Sequence, residues 1–238
     1  MLGSRLTVLE AINEVARRLN LRQITSTTSN SWAQTMIGHL NDVCSDLADF
    51  STWEELMASA TFTLVCGQAT YQVSTTASNS AAFQQILSIE EVHLSGRIPP
   101  LEPISNRNEF RMLIRTNSIG TPSRFCPMDL DGEGNQKVGL FPRPGSTWAG
   151  SVAHVHYQVL PPRYEAGTDD AVLVPFPGRV VVAGLMAAAI LDEAGGTETQ
   201  QWKAAHDRYM AARRAASGRR MAKTGDYTRF QPGMTPRS

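Results

Sequence analysis

Apolar positions in the first third of the chain recur at the spacing of one helical face. Leu9, Ile12, Val15 or Ala16, and Leu19 make one stripe; Trp32, Met36, Leu40, Val43 and Leu47 make a second. Thr7 and Glu10 fit a capping box before the first stripe, and a Thr/Ser/Asn loop from Thr25 to Ser31 separates the two. The short connection predicts that these helices pack as an antiparallel hairpin. A third, short helix is expected to start at Ser51 or Thr52, with Glu54 or Glu55 three residues on.

The period then changes to that of strands. Thr61 to Val65 alternates, Gly67-Gln68 supplies a turn, and Thr70 to Val73 returns, which predicts a β-hairpin. Ser74 to Ala82 reads as a Ser/Thr/Ala-rich loop. Ile86 to Leu94 reads as a strand, and Ser105 as the cap of a short helix through Phe110, Leu113 and Ile114. Arg124 to Met128 and Lys137 to Phe141 read as two strands around a turn at Asp129 to Asn135, and Val152 to Val159 as the last strand.

The final third is helical again. Pro177 suits a first helical turn, where its missing N–H costs nothing. Val180 to Leu191 is apolar all round and rich in Gly and Ala, so this helix is expected to be buried with another backbone close by. Gly195-Gly196 ends it. Thr197 and Gln200 form a further capping box before the stripe Trp202, Ala205, Tyr209, Ala212 and Ala216. After Ser217 the apolar period stops, so residues 217–238 read as an extended arm with no core of its own. No internal repeat at a solenoid or propeller period is visible. The fold expected is α+β: N- and C-terminal helices form a helical bundle around a central β-rich insertion. Its divisions are 1–59 (helices), 60–162 (β-rich), 163–216 (helices) and 217–238 (arm).

The 238 residues include 42% apolar and 18% charged side chains, enough for a core and too ordered a mixture for a disordered chain. The 22 basic and 22 acidic residues cancel, which removes global charge as an argument for nucleic-acid binding. The charges are nevertheless segregated. From Gln200 to Ser238 nine Lys/Arg stand against Asp207 and Asp226, leaving an acidic surplus in the rest of the chain. No signal-peptide core and no run long enough to span a bilayer is present, so a soluble intracellular product is expected. Cys44, Cys66 and Cys126 have neither metal-type nor redox-type spacing and sit in core-like contexts, Cys44 on a helix stripe and the others in strands.

Candidate chemistry is sparse. His154 and His156 share one face of a strand, but two imidazoles make an incomplete metal site. Asp129, Asp131 and Glu133 with Gly132 and Gly134 resemble the opening of a calcium loop. Counted from Asp129, however, the twelfth position is Leu140, where the loop needs a closing carboxylate. These residues read as a turn between strands. There is no phosphate-cradling Gly-rich loop and no nucleophile elbow. No catalytic residue, metal site or cofactor is assigned. The basic tail has three readings: a solvated tail, a phosphate-contacting arm (Arg213, Arg214, Arg219, Arg220, Lys223, Arg229, Arg237), or an arm that docks in a protein groove. The alternation of anchors and polar groups in Tyr227-Thr228-Arg229-Phe230 favours the protein groove.

The order of the motifs resembles a known family. A helix pair precedes Trp53-Glu54-Glu55-Leu56-Met57, then Thr61 to Tyr71, Gly120 to Phe125, Val138 to Pro144 and Val155 to Pro161. Val174-Pro175, the Ala-rich helix and the helix from Gln201 to Tyr209 complete the series. Across Leu6 to Ala216 this is similar to the head–tail adaptor proteins of short-tailed bacteriophages. The resemblance implies a structural virion protein, made in the host cytoplasm and placed at the head–tail junction. It implies a dodecameric ring beneath the portal protein, joined to a downstream nozzle or tail-tube protein, with DNA passing through without sequence-specific binding and no membrane partner. By location and composition, Arg219, Arg220, Lys223, Tyr227, Arg229 and Phe230 correspond to a portal-binding arm. A tail-completion or tail-tube component is the nearest alternative; a metal-dependent hydrolase using His154 and His156, and a basic-armed DNA-binding module, are more distant ones.

Overall fold

A computed structural model of the protein describes residues 4–73, 86–97, 99–130 and 136–224; for Leu130 and residues 218–224 it describes the backbone alone. The loop expected at Ser74 to Ala82 and the turn residues 131–135 lie outside the described residues. In chain order the elements begin with α1 (Val8–Arg18), α2 (Ser31–Phe50), β1 (Met57–Thr63), β2 (Thr70–Val73), β3 (Ile86–Leu94), β4 (Glu102–Pro103) and α3 (Arg107–Arg115). They continue with β5 (Ile119–Gly120), β6 (Arg124–Leu130), β7 (Gln136–Phe141), β8 (Arg143–Pro144), β9 (Val152–Val159), α4 (Gly178–Glu193) and α5 (Gln200–Thr224). The fold is α+β. The chain divides into two compact units, Thr52–Leu160 and the flanking segments Met1–Ser51 with Pro161–Ser238. The expected division at residue 60 falls inside β1.

In the helical unit both halves of the α1 capping box form: the Thr7 hydroxyl accepts from the Glu10 amide, and the Glu10 carboxylate accepts from the Thr7 amide. The two chain segments are joined where Val8 N–H donates to Val172 C=O at 3.0 Å and Val174 N–H to Leu6 C=O at 2.9 Å. A second tie is the Asp170 carboxylate, which accepts from the hydroxyl and the amide of fully buried Thr27; the Thr27 hydroxyl in turn accepts from Gly167 N–H at 2.7 Å. The hairpin expected of α1 and α2 is replaced by another arrangement: both pack chiefly on α4. Local connection length did not decide this pairing, because α4 is apolar around most of its circumference and offers the larger surface to bury. At Gly184 an added Cβ would lie 2.8 Å from Val43 Cγ1 and 3.0 Å from Tyr209 Cε2, so the missing side chain lets α2 and α5 close on α4 together.

Small differences at element ends follow from side-chain reach. Pro177 stands at the N-cap of α4, just before its first turn. Asn106, not Ser105, caps α3, and Thr199, not Thr197, accepts from Trp202 N–H at the start of α5. The short helix after Ser51 is a single 3₁₀ turn, Glu54–Leu56.

Among the described residues the β unit holds three small sheets with strand orders β1-β9-β3, β2-β7-β6-β4 and β5-β8. The hairpin expected of β1 and β2 does not form: β1 pairs antiparallel with β9, and β2 with β7. The Gly67-Gln68 turn is present, but Gly67 N–H donates to Pro144 C=O, and the Tyr71 hydroxyl occupies the Val65 N–H and C=O. The two strands thus leave the turn for separate sheets. The hairpin expected of residues 124–128 and 137–141 does form, as β6 and β7. α3 covers it with Phe110, whose ring lies where a Cβ on Gly139 would sit, 2.1 Å from Cζ. Cys66 is exposed in the turn rather than buried in a strand, whereas Cys44 and Cys126 are buried. Burial pushes the Cys44 thiol up to about 12, leaving it inert.

Candidate interaction surfaces

α5 is locked to α2 through Asp46. The Tyr209 hydroxyl and Arg213 Nη1 both donate to Asp46 Oδ2 at 2.5 Å, and the Arg213 guanidinium lies 3.8 Å from the Phe50 ring centroid. Burial, and then Asp46, push the Tyr209 hydroxyl well above its ordinary range. Arg213 therefore holds the helical unit together and is removed from the group of arginines expected to meet phosphate.

Past this lock α5 continues to Thr224, where the sequence pattern predicts an extended arm from residue 217. Ala, Arg, Met and Lys are strong helix formers, so the backbone stays helical although the apolar stripe has ended. Arg219, Arg220 and Lys223 accordingly stand on a helix. Tyr227, Arg229 and Phe230 lie outside the described residues.

Beside the lock, α4 and α5 enclose an open groove of about 1060 Å³. Ala183, Met186 and Ile190 line it from α4, and Ala204, Ala211 and Ala215 from α5. Arg18, Arg179 and Arg208 stand around it, with Glu193 as the acidic member of the lining. Arg18 Nε donates to Glu14 Oε1 at 2.9 Å; Arg17, then Arg18, hold the Glu14 carboxyl down at about 2. Arg179 and Arg208 have no ion-pair partner among the described residues. The sequence shows the small residues of α4 but not this groove, which exists only once α5 is laid against it.

In the β unit, His154 and His156 do share a face of β9, and the sheet adds His93 from β3. His93 and His156 meet edge to face with ring centroids 5.5 Å apart; His93 Nε2 lies 2.9 Å from Glu91 Oε2, and His154 Nε2 lies 3.2 Å from Ser95 Oγ. His93 escaped the sequence reading because its neighbour across the sheet is set by register with a distant strand. Among the described residues no group of three or more His, Cys, Asp or Glu side chains is placed to hold a metal ion. Asp129, expected in the turn, lies within β6, one residue before its end, and is paired with Arg107 of α3. No helix among the described residues is long and apolar enough to cross a membrane.

Comparison with known proteins supplies the remaining finding. The sequence model of the SU10 adaptor protein family matches residues 6–229, so the chain belongs to that family. The match agrees with the head–tail adaptor resemblance carried by the motif order and reaches past the described end of α5. No curated protein matches the chain. Membership in this family implies a structural adaptor protein of a phage.

Proposed function

We propose that the chain forms a dodecameric ring between the portal vertex and the tail, extends the DNA channel, and reaches the portal with its basic C-terminus. The observation that supports this reading is the family match over residues 6–229, which includes all of α5 and residues 225–229 after it. α5 fits the role of a stem: its middle is fixed by Asp46, and Arg219, Arg220 and Lys223 are spaced along its end. Tyr227 and Phe230 supply aromatic anchors of the kind that dominate protein interfaces, and the arginines supply charge-assisted hydrogen bonds. A downstream nozzle or tail-tube protein meets the opposite side of the ring, and DNA crosses it without base contacts.

Deletion of residues 225–238 tests this. That cut spares the helix through Thr224, so the melting temperature is expected to stay near that of the full chain. Pull-down by the portal protein of the same phage is expected to be lost. A truncated chain that keeps portal binding and instead loses DNA retention in a gel-shift assay overturns the portal-arm reading.

A further inference from the structure

The helical unit carries a second charged surface besides the groove. α2 has no Lys or Arg along its whole length. On its outer side Asp42, Ser45 and Asp49 are exposed, together with Gly38. Asp42 and Asp49 have no ion-pair partner among the described residues, in contrast to Asp46, which Arg213 and Tyr209 occupy. Two uncompensated acids thus lie on one helix, and two uncompensated arginines, Arg179 and Arg208, lie at the α4–α5 groove.

The helical period separates these surfaces. Val43 of α2 and Tyr209 of α5 both point at Gly184. At about 100° per residue, Asp42, Ser45 and Asp49 are turned about 100–160° from Val43, and Ala204, Arg208, Ala211 and Ala215 by the same amount from Tyr209. Both surfaces face away from the shared contact, and they have no residue in common. One copy therefore cannot join its own acids to its own groove. Two different, complementary patches on one chain are what a head-to-tail interface requires, and such interfaces repeat from copy to copy. Size agrees with charge: Gly38 and Ser45 are small, and the groove is lined with alanine, so two helix backbones can approach closely.

We infer that the seam between neighbouring copies is formed by α2 of one copy lying in the α4–α5 groove of the next, with Asp42 and Asp49 facing Arg179 and Arg208. This inference rests on the ring reading and names the faces that build it. Burial of Met186 and Ile190 supplies the apolar part of the contact; the charges set the orientation and reject a groove-to-groove pairing.

Charge reversal in the full chain, read by sedimentation velocity over a concentration series, tests the seam. Arg179→Glu/Arg208→Glu and Asp42→Arg/Asp49→Arg are each expected to weaken self-association at least about tenfold. Mixing the two variants is expected to restore it, because every seam in the mixture then pairs opposite charges. All four sites are exposed, so unchanged melting temperatures verify that the variants fold. In a Cys66→Ser background, Ser45→Cys/Ala211→Cys is expected to form intermolecular disulfide multimers, while Thr35→Cys/Ala211→Cys does so less. Association that is indifferent to either reversal, or that mixing fails to restore, overturns the seam and leaves the ring intact. A wild-type chain with no self-association up to its solubility limit overturns both.

Discussion

Gly184 of the helical unit and Gly139 of the β unit both leave the space of a Cβ to neighbouring side chains, and the two glycines do different work. Gly184 stands in the middle of α4 and admits two helices, through Val43 and Tyr209. Gly139 stands in β7 and admits a single ring, that of Phe110. The helical contact is distributed along the faces that α2 and α5 turn to α4. The β contact sets the Phe110 ring over a short hairpin, in a cluster with Ile104 and Cys126, and in the same unit β9 pairs with β1 and β3 from far along the chain. The contact at Gly184 is shared by two side chains from two helices; the contact at Gly139 is made by one ring.

The largest effect expected from this difference is at Phe110. Phe110→Ala removes a fully buried ring and should cost about 3–5 kcal/mol in denaturant unfolding, with hydrogen exchange rising in α3, β6 and β7. Gly139→Ala alone should cost about 1–3 kcal/mol by overpacking, yet add little in the Phe110→Ala background, where the ring it strikes is gone. Additive costs in that cycle would show that Gly139 matters for some reason other than the ring.

Gly184→Ala comes next, at about 1–3 kcal/mol. Its clash is shared, so Val43→Ala should recover only part of the loss, leaving Tyr209 unrelieved. Full recovery by Val43→Ala would make the helical contact as singular as the β contact and would break the comparison.

The smallest effect concerns the tie between the two segments of the helical unit. Burial raises the Asp170 carboxyl, but hydrogen bonds from Thr27, Ser26 and the Gly167 amide outweigh it and hold the group below its ordinary value. A carboxyl lowered in the folded state stabilises the fold fully above its unfolded pKa, and that contribution disappears as pH falls through the folded value. Asp170→Asn should therefore lower stability at neutral pH by about 1–2 kcal/mol and flatten the loss in acid. An acid-unfolding curve unchanged by the substitution would remove Asp170 from the account.

Read from the sequence alone, α1 to α4 came out close to their observed bounds, because helical periodicity, capping residues and a terminating Gly195-Gly196 all act within a few residues of one another; the end of α5, where no stripe or stop signal acts, did not. The Thr7–Glu10 box and the strands Ile86–Leu94 and Val152–Val159 belong to the same class. The family resemblance rested on the order of such local features, and the match over residues 6–229 upholds it. Partnerships were another matter. The sequence shows β1 and β2 either side of a good turn, and α1 and α2 either side of a short loop, yet each takes its main partner from elsewhere in the chain. The approach of His93 to His156, the loss of Arg213 to Asp46, and the groove between α4 and α5 are likewise products of tertiary packing. A turn or a stripe states which side of an element must be buried. Which other element buries it depends on the total apolar area and hydrogen bonding gained by the whole fold, and no window of neighbouring residues contains that sum.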